Sequence, residues 1–152
     1  MANDRLFPVA QENYTSDDYW TPKWIFDALA ITFDIDVACP PEGPHNVPCR
    51  TWFTQYDDGL LQEWRGRVWM NPPFSRAAPW VNKFIKHRNG VALTVVGKTK
   101  WCDTLFATAD LMLLLPRSMQ FDQGSIFLPT ALWAYGKDNA EALANSGIGP
   151  TR

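Results

Sequence analysis

The chain has 152 residues, 46% of them hydrophobic and 20% charged, with a formal net charge of −2. This length suits a single domain, and no apolar run approaches the roughly 20 residues that a membrane-spanning helix needs. The first residues lack a basic stretch followed by an apolar core, so we expect no secretory signal and a cytoplasmic protein. The spacing of Cys39, Cys49 and Cys102 favours neither a disulfide framework nor a zinc site. Cys39, His45 and Cys49 could share a metal ion, but the spacing matches no established pattern, and we expect none.

The first half of the chain predicts one helix and two strands. The helix begins at Pro22, with Thr21 as its N-cap, because proline suits the first helical position. The sequence FDIDVA (residues 33–38) alternates like a short strand that ends in carboxylates. Residues 57–64 (DDGLLQEW) predict a turn that leads into a short helical piece, and a strand over residues 67–70 follows.

The sequence VWMNPPFS (residues 68–75) ends this strand abruptly. Neither proline can donate to a sheet, and the residue before a proline is pushed out of the helical region. The result is a stiff elbow that presents the Asn71 amide, backbone carbonyls and the Phe74 ring. It is either an ordinary loop rich in turn residues or a pocket for a flat group that carries an amine.

The second half of the chain predicts further alternating helices and strands. An amphipathic helix, a continuously apolar strand and a second helix are followed by a buried strand and by a last strand interrupted at Pro129; they cover residues 77–88, 90–97, 100–109, 111–115 and 125–136. This alternation predicts an α/β sandwich around a mainly parallel sheet. Ligands of such sheets bind at the carboxyl ends of the strands, where we expect Asp34, Asp36 and the elbow.

Charge is unevenly distributed along the chain. Residues 1–63 hold eleven of the sixteen acids, whereas residues 64–102 hold eight basic residues and no acid. Local basic patches, rather than net charge, determine whether a protein binds a polyanion. The same run could also simply solvate a helix face.

Four sequence blocks together resemble the phage-encoded DNA N-6-adenine methyltransferases, a small Dam-like family. The blocks are WTPKWIFD, FDIDVA, DGLLQEW and VWMNPPFS, in this order, and the similarity extends over about residues 17–135. The resemblance implies a Rossmann-like methyltransferase sandwich with helices on both faces of the sheet. It also implies that S-adenosylmethionine is the methyl donor and that the N6 amino group of adenine in double-stranded DNA is the acceptor. We accordingly expect an N-terminal extension (residues 1–16), a methyltransferase domain (residues 17–136) and a C-terminal tail with little to bury (residues 137–152).

The resemblance assigns two groups of residues to the methionine end of the cofactor. Thr21 and Pro22 correspond to the family's Thr-Pro block, and a helix N-terminus favours a carboxylate. Asp36 corresponds to the acid at the strand end that meets the positively charged amino group or sulfonium. Asp34 is the weaker candidate, for which a solvated acid at the strand end is the better interpretation.

A second acid is assigned to the adenine end of the cofactor. The resemblance implies that Asp58 accepts a hydrogen bond from the adenine amino group, although Asp57 could replace it. Gly59 would let the backbone turn closely past the ring. Many methyltransferases have a glycine-rich turn after the first acid, whereas this chain has DVACPPEG, with only Gly43.

The elbow is the expected catalytic element. The oxygen of the Asn71 side chain and the Pro72 carbonyl would accept the two hydrogens of the adenine amine, so that its lone pair points at the methyl group. Phe74 would stack on the flipped-out base, and Asn71 would also contact the cofactor.

Basic residues near the elbow are expected to contact DNA phosphates. No region is large enough for a separate recognition domain, so sequence specificity could be relaxed, or be carried by loops such as residues 39–50 or by a second subunit in a homodimer. The expected phosphate contacts are Arg76, Lys83, Lys86, Arg88, Lys98 and Lys100.

Two other functions remain open from the sequence. One is a non-catalytic module that binds DNA or a protein on a degenerate methyltransferase fold. The other keeps the chemistry but methylates adenine in RNA or a glutamine amide in a protein; the acid-free basic stretch favours a polyanion over a protein.

Overall fold

The computed structural model describes residues 20–117, 120–121, 124–125 and 128–152. The extension predicted for residues 1–16 lies outside the described residues. The division into three segments stays a prediction.

Within the described residues, the chain forms four α-helices, one six-stranded sheet and a separate two-stranded hairpin. The helices are α1 (Lys23–Leu29), α2 (Ala77–His87), α3 (Lys100–Thr108) and α4 (Lys137–Asn145), and a 3-10 turn, Phe74–Arg76, precedes α2. The strands of the sheet are β1 (Phe33–Asp36), β2 (Cys49–Trp52), β3 (Val68–Met70), β4 (Gly90–Val95), β5 (Leu111–Leu114) and β8 (Thr130–Tyr135). The hairpin consists of β6 (Gln120–Phe121) and β7 (Gly124–Ser125).

The order of strands in the sheet is β2-β1-β3-β4-β8-β5. Neighbours among β2, β1, β3 and β4 pair in parallel, whereas β8 is antiparallel to both β4 and β5. The sheet is therefore mixed, and the prediction of a mainly parallel sheet is wrong. The continuous burial of β4 correctly marks a central strand, but burial does not encode the direction of the neighbouring strand.

Helices cover both faces of this sheet, as predicted. On one face, Ile25 and Leu29 of α1 and Leu143 of α4 belong to a buried cluster that includes Trp69 and Val91 of the strands. The other face carries α2 and α3, whose buried residues Val81, Phe84, Cys102 and Leu105 cluster with Met70 and Ala92. Successive strand residues point to opposite faces, so β3 and β4 supply both clusters.

Parallel strands place their carboxyl ends at one edge of the sheet. Helix α2 follows the elbow at the carboxyl end of β3, and only two residues separate its end from β4, so it crosses back to the opposite edge. The residues that follow β1, β2 and β3 therefore meet at one edge, which we call the carboxyl edge. The residues between α2 and β4 lie at the other, amino edge.

The N-terminal part of the chain differs from prediction in three details. Pro22, rather than Thr21, occupies the N-cap position of α1, and no side chain caps this helix. Residues 57–64 form turns, with the amide of Leu61 donating to the Asp58 carbonyl, instead of the predicted helical piece. Strand β2 was not predicted, because its exposed residues do not alternate with buried ones.

The C-terminal tail also differs from prediction. Residues 137–145 form α4, in which Leu143 is fully buried and Asn139 is 2% exposed. Farther on, Thr151 forms an isolated bridge with Leu113 of β5. The expectation that this segment has little to bury is wrong.

Candidate active site

A cavity of about 520 Å³ opens at the carboxyl edge of the sheet. This volume lies in the range of small-molecule sites. The cavity is lined by residues before α1, by residues at or after the ends of β1, β2 and β3, and by the start of α2. They include Trp20, Thr21, Asp36, Cys39, His45, Thr54, Gln55, Asp58, Gly59, Leu60, Trp69, Asn71, Pro73, Arg76 and Trp80.

Asp36 is the buried carboxylate of this cavity. It is the last residue of β1 and is 2% exposed, and its Oδ1 accepts a hydrogen bond of 3.2 Å from the amide of Ala38. Burial raises the pKa of Asp36 to about 7, against a smaller lowering by that hydrogen bond. A cation bound beside Asp36 would favour its charged form.

Asp34 lies elsewhere. Its Oδ2 accepts a hydrogen bond of 2.7 Å from the amide of Arg67, and the side chain lines a separate surface pocket with Asn89 and Lys137. Gly66, which has a φ of 72°, packs so closely on Asp34 that any side chain at this position would clash with the carboxylate. The expectation that Asp34 shares the edge with Asp36 and the elbow is wrong, because its side chain turns toward the residues that precede β3.

The elbow follows β3 directly and forms one wall of the cavity. Asn71 and Pro73 line the cavity, whereas Pro72 is buried behind them. Phe74 is half-buried and packs against the cluster that includes Phe26 and Trp69, and it is not part of the cavity lining. The structure thus brings Asn71 into the site but gives Phe74 a packing contact.

Thr21 lines the cavity and is only 2% exposed. Its hydroxyl accepts a long hydrogen bond, 3.4 Å, from Nδ2 of Asn71. Its carbonyl accepts a bond of 3.1 Å from Nδ2 of Asn46, which belongs to the loop between β1 and β2. Thr21 therefore contacts the elbow rather than capping the helix that Pro22 begins.

The loop after β2 brings Asp58 and Gly59 to the cavity. Asp58 has a left-handed φ of 54°, and its Oδ1 accepts a bond of 3.2 Å from the amide of Leu60. A Cβ at Gly59 would clash with the carbonyl of Val37 and lie 3.0 Å from the Trp80 ring, so only glycine fits this close approach.

Asp57, the alternative to Asp58, binds the start of the same loop. Its Oδ2 accepts hydrogen bonds of 2.8 and 3.2 Å from the amide and hydroxyl of Thr54, and it is not part of the cavity lining. Of the two neighbouring acids, Asp58 is the one in the cavity wall.

The six predicted phosphate contacts do not form one rim. Arg76 lines the cavity, and Lys98 and Lys100 are exposed after the carboxyl end of β4. Arg88 lies at the amino edge with its guanidinium 5.3 Å from the centre of the Tyr135 ring, and Lys86 is exposed near the same end of α2.

Lys83 has its charge turned inward. Its ammonium donates to the carbonyls of Leu60, at 2.8 Å, and Gln62, and it lies 5.1 Å from the centre of the Trp64 ring. Partial burial lowers its pKa, and the nearby charge of Asp58 acts in the opposite direction. Lys83 thus braces the loop through two of its carbonyls.

Aromatic residues that the sequence did not assign to the site also line the cavity. Trp20 and His45 have ring centres 4.1 Å apart, and Trp80 stacks on Trp64 at 6.4 Å. The 14% aromatic content of the chain was the only signal for them.

Cys39 and Cys49, near the cavity, are free thiols. Cys39 is buried, and burial and the neighbouring Asp36 raise its pKa; the same two causes raise the pKa of Cys49 to about 11. In the described part of the chain, no three His, Cys, Asp or Glu side chains come together in a group that could hold a metal ion.

Residues 10–124 match the family model described as DNA N-6-adenine-methyltransferase (Dam). The chain belongs to this family. A curated relative, the DNA N-6-adenine-methyltransferase of Haemophilus phage HP1 (strain HP1c1), is 34% identical over 113 residues.

That match covers 66% of this chain and 64% of the phage relative, so the chain spans slightly less than two thirds of the relative's length. No solved structure matches the chain. Among the helices of the described residues, none is long and apolar enough to cross a membrane.

Proposed function

We propose that this member of the Dam family transfers a methyl group from S-adenosylmethionine to the N6 amino group of adenine in double-stranded DNA, on a Rossmann-like fold. One observation carries the proposal. The cavity at the carboxyl edge collects Thr21, Asp36, Gly59 and Asn71, one residue from each of the four sequence blocks that resemble the family. These blocks belong to different helices, strands and loops, and the fold brings them around one small-molecule-sized space.

The residues of the cavity fit the cofactor. Asp36 offers a buried carboxylate that would hold the cationic methionine end, and a bound cation would counter the burial that raises its pKa. Asp58 would accept from the amino group at the adenine end, beside the close approach of Gly59 to Trp80. When bound, the cofactor supplies an electrophilic methyl group.

Asn71 and Pro72 would orient the acceptor. The N6 amine of adenine is a poor nucleophile, because its lone pair is conjugated with the ring. If Oδ1 of Asn71 and the carbonyl of Pro72 accept its two hydrogens, the lone pair is directed out of the ring plane toward the methyl group. The two prolines fix these acceptors before the substrate binds, which lowers the cost of orientation. The amine becomes acidic once methylated and releases its proton without a strong base.

The base would reach Asn71 only after it has left the duplex. Phe74 is half-buried against the core, so stacking of its exposed portion on the base stays a prediction. The substrate and the relative's phage origin lead us to propose action in the cytoplasm of a bacterial host cell. A homodimer also stays a prediction.

The test is methylation of mixed-sequence plasmid DNA with methyl-labelled S-adenosylmethionine, followed by mass spectrometry of the nucleosides. We expect label in N6-methyldeoxyadenosine, and none with the Asn71→Ala variant, once that variant is shown to be folded and to bind the cofactor. Parallel reactions with RNA and with bulk protein test the other acceptors. Label only in RNA, protein or cytosine would refute the proposed substrate, and no binding of S-adenosylmethionine would indicate a non-catalytic module.

A further inference from the structure

Two apolar side chains project from the loop that forms one wall of the cavity. This loop, residues 54–62, joins β2 to the segment before β3, and Thr54, Gln55, Asp58, Gly59 and Leu60 line the cavity. Tyr56 and Leu61, from the same loop, are each 81% exposed. An aromatic and an aliphatic side chain thus stand uncovered on a loop that lines the cavity.

Hydrogen bonds hold this loop on both sides, so Tyr56 and Leu61 are exposed although the loop itself is fixed in place. Around Tyr56, the carboxylate of Asp57 accepts from the amide of Thr54 at 2.8 Å, and the side chain of Gln62 donates to the Asp57 carbonyl at 2.7 Å. Around Leu61, Lys83 donates to the carbonyls of its two neighbours. The indole of Trp64 also donates to the Gly59 carbonyl at 2.8 Å.

We infer that Tyr56 and Leu61 enter the DNA base stack next to the adenine that leaves the duplex, and that they hold the duplex open. The inference rests on the proposed function, because a base that reaches Asn71 leaves a gap behind it. Proteins that open or kink a duplex fill such gaps with apolar wedges, and an aromatic ring stacks on any base. A loop that hydrogen bonds hold beside the cavity is suited to this role, because its backbone needs no further ordering when DNA binds.

The charges of the loop favour bases over phosphates as its target. Residues 54–62 contain no lysine or arginine. Its two acids are engaged within the loop, Asp57 with Thr54 and Asp58 with the amide of Leu60. A phosphate contact at the cavity would instead come from Arg76.

The test compares duplex and single-stranded substrates. An oligonucleotide with an adenine that the parent methylates is offered as a duplex, as a single strand, and as a duplex with an abasic site opposite the target. Single-turnover rates are measured for Tyr56→Ala, Leu61→Ala and the double variant, with Tyr56→Phe and Leu61→Met as conservative partners. Leu128→Ala is the matched control, because Leu128 is 61% exposed but neither lines the cavity nor belongs to the loop.

We expect the double variant to methylate the matched duplex at least about tenfold more slowly, as loss of a stacking contact implies. The rates on the single strand and on the abasic duplex should stay within about twofold of the parent, since neither requires a paired base to be opened. Cofactor affinity and the salt dependence of DNA binding should not change. The conservative variants and Leu128→Ala should resemble the parent.

Parental rates of the double variant on the matched duplex would overturn the inference. Equal losses on duplex and single strand would also overturn it, because the loop would then only shape the cavity. A comparable loss in Leu128→Ala would show that the effect is not specific to the loop. If the parent itself methylates no DNA, the proposed function fails, and this outcome is visible before any loop variant is made.

Discussion

The amide of Asn71 is tied to the hydroxyl of Thr21. Its Nδ2 donates to Oγ1 of Thr21 over 3.4 Å, and Thr21 is itself held by Asn46, which donates to its carbonyl at 3.1 Å. Rotation of the Asn71 amide would exchange the positions of Nδ2 and Oδ1. The hydrogen bond from Nδ2 to Thr21 therefore favours the orientation in which Oδ1 can accept from an amine. Thr21 is thus a candidate positioning residue for the proposed reaction.

Replacing Thr21 by valine should slow methyl transfer without weakening cofactor binding. Valine has nearly the same shape but accepts no hydrogen bond, so Asn71 loses this contact. A bond worth about 1 kcal/mol predicts a decrease of roughly five- to tenfold in the single-turnover rate. Thr21→Ser retains the hydroxyl and should retain most of the rate.

Equilibrium binding of S-adenosylmethionine and thermal unfolding of both variants provide the controls. If Thr21→Val binds the cofactor much more weakly at an unchanged maximal rate, Thr21 contacts the methionine end, as the sequence alone suggested, and the positioning role is wrong.

Burial of Asp36 should make the stability of the unliganded protein depend on pH. Its pKa of about 7 in the folded chain exceeds the ordinary value of 3.8. Between these values the native state holds a proton that the unfolded state has lost, so the free energy of unfolding falls as pH rises from about 4 to about 7. Asp36→Asn removes this dependence, so the variant should gain stability relative to the parent as pH rises from about 4 to about 7. Urea unfolding at these two pH values measures the change.

Cofactor binding should show the opposite trend. A cation is held by the charged form of Asp36, so the affinity of the parent for S-adenosylmethionine should rise with pH through about 7. In Asp36→Asn the affinity should be lower and this rise absent. A parent and a variant with the same pH profile would exclude contact between Asp36 and the cofactor.

Gly59→Ala should damage the cavity, whereas Gly97→Ala should not. A methyl group at Gly59 would clash with the Val37 carbonyl and press on the Trp80 ring, whereas nothing lies within 4 Å of a Cβ at Gly97. Overpacking predicts a loss of about 1–3 kcal/mol in the free energy of unfolding and weaker cofactor binding for Gly59→Ala. Calorimetric titration and urea unfolding measure both. If the two variants have the same stability and the same cofactor affinity, the loop tolerates a methyl group at Gly59, and the prediction is wrong.

Several parts of the fold could be predicted because local patterns determine them. The apolar face of α2, the uninterrupted burial of β4 and the double proline after β3 each predicted the observed element. The direction of β8 could not be predicted, since antiparallel and parallel central strands are equally buried. Strand β2 was missed because pairing with β1 alone maintains it, while its side chains remain largely exposed.

The sequence predicted which residues form the candidate site better than it predicted the contacts of their side chains. Sequence blocks identified Asp36, Asp58 and Asn71, all of which line the cavity. Side-chain direction was not readable from the sequence. The Asp34 carboxylate accepts from the amide of Arg67, although alternation along β1 had suggested a place in the site. The Lys83 ammonium donates to a loop carbonyl, although its charge had suggested contact with solvent. The direction of each of these side chains depends on backbone groups that other segments of the chain contribute.

The basic residues of the α2 region should differ in their effect on DNA binding, because they lie at two edges of the sheet. Arg76 lines the cavity at the carboxyl edge, whereas Arg88 packs over Tyr135 at the amino edge. Arg76→Ala should weaken binding similarly for all DNA sequences and reduce the slope of log affinity against log salt by about one unit, as loss of one phosphate contact predicts. Arg88→Ala is the matched control and should leave the slope unchanged. Anisotropy titrations of a labelled duplex between about 50 and 200 mM salt measure both slopes. The reverse result, a smaller slope for Arg88→Ala and an unchanged one for Arg76→Ala, would place DNA at the amino edge, away from Asn71, and would contradict the proposed site.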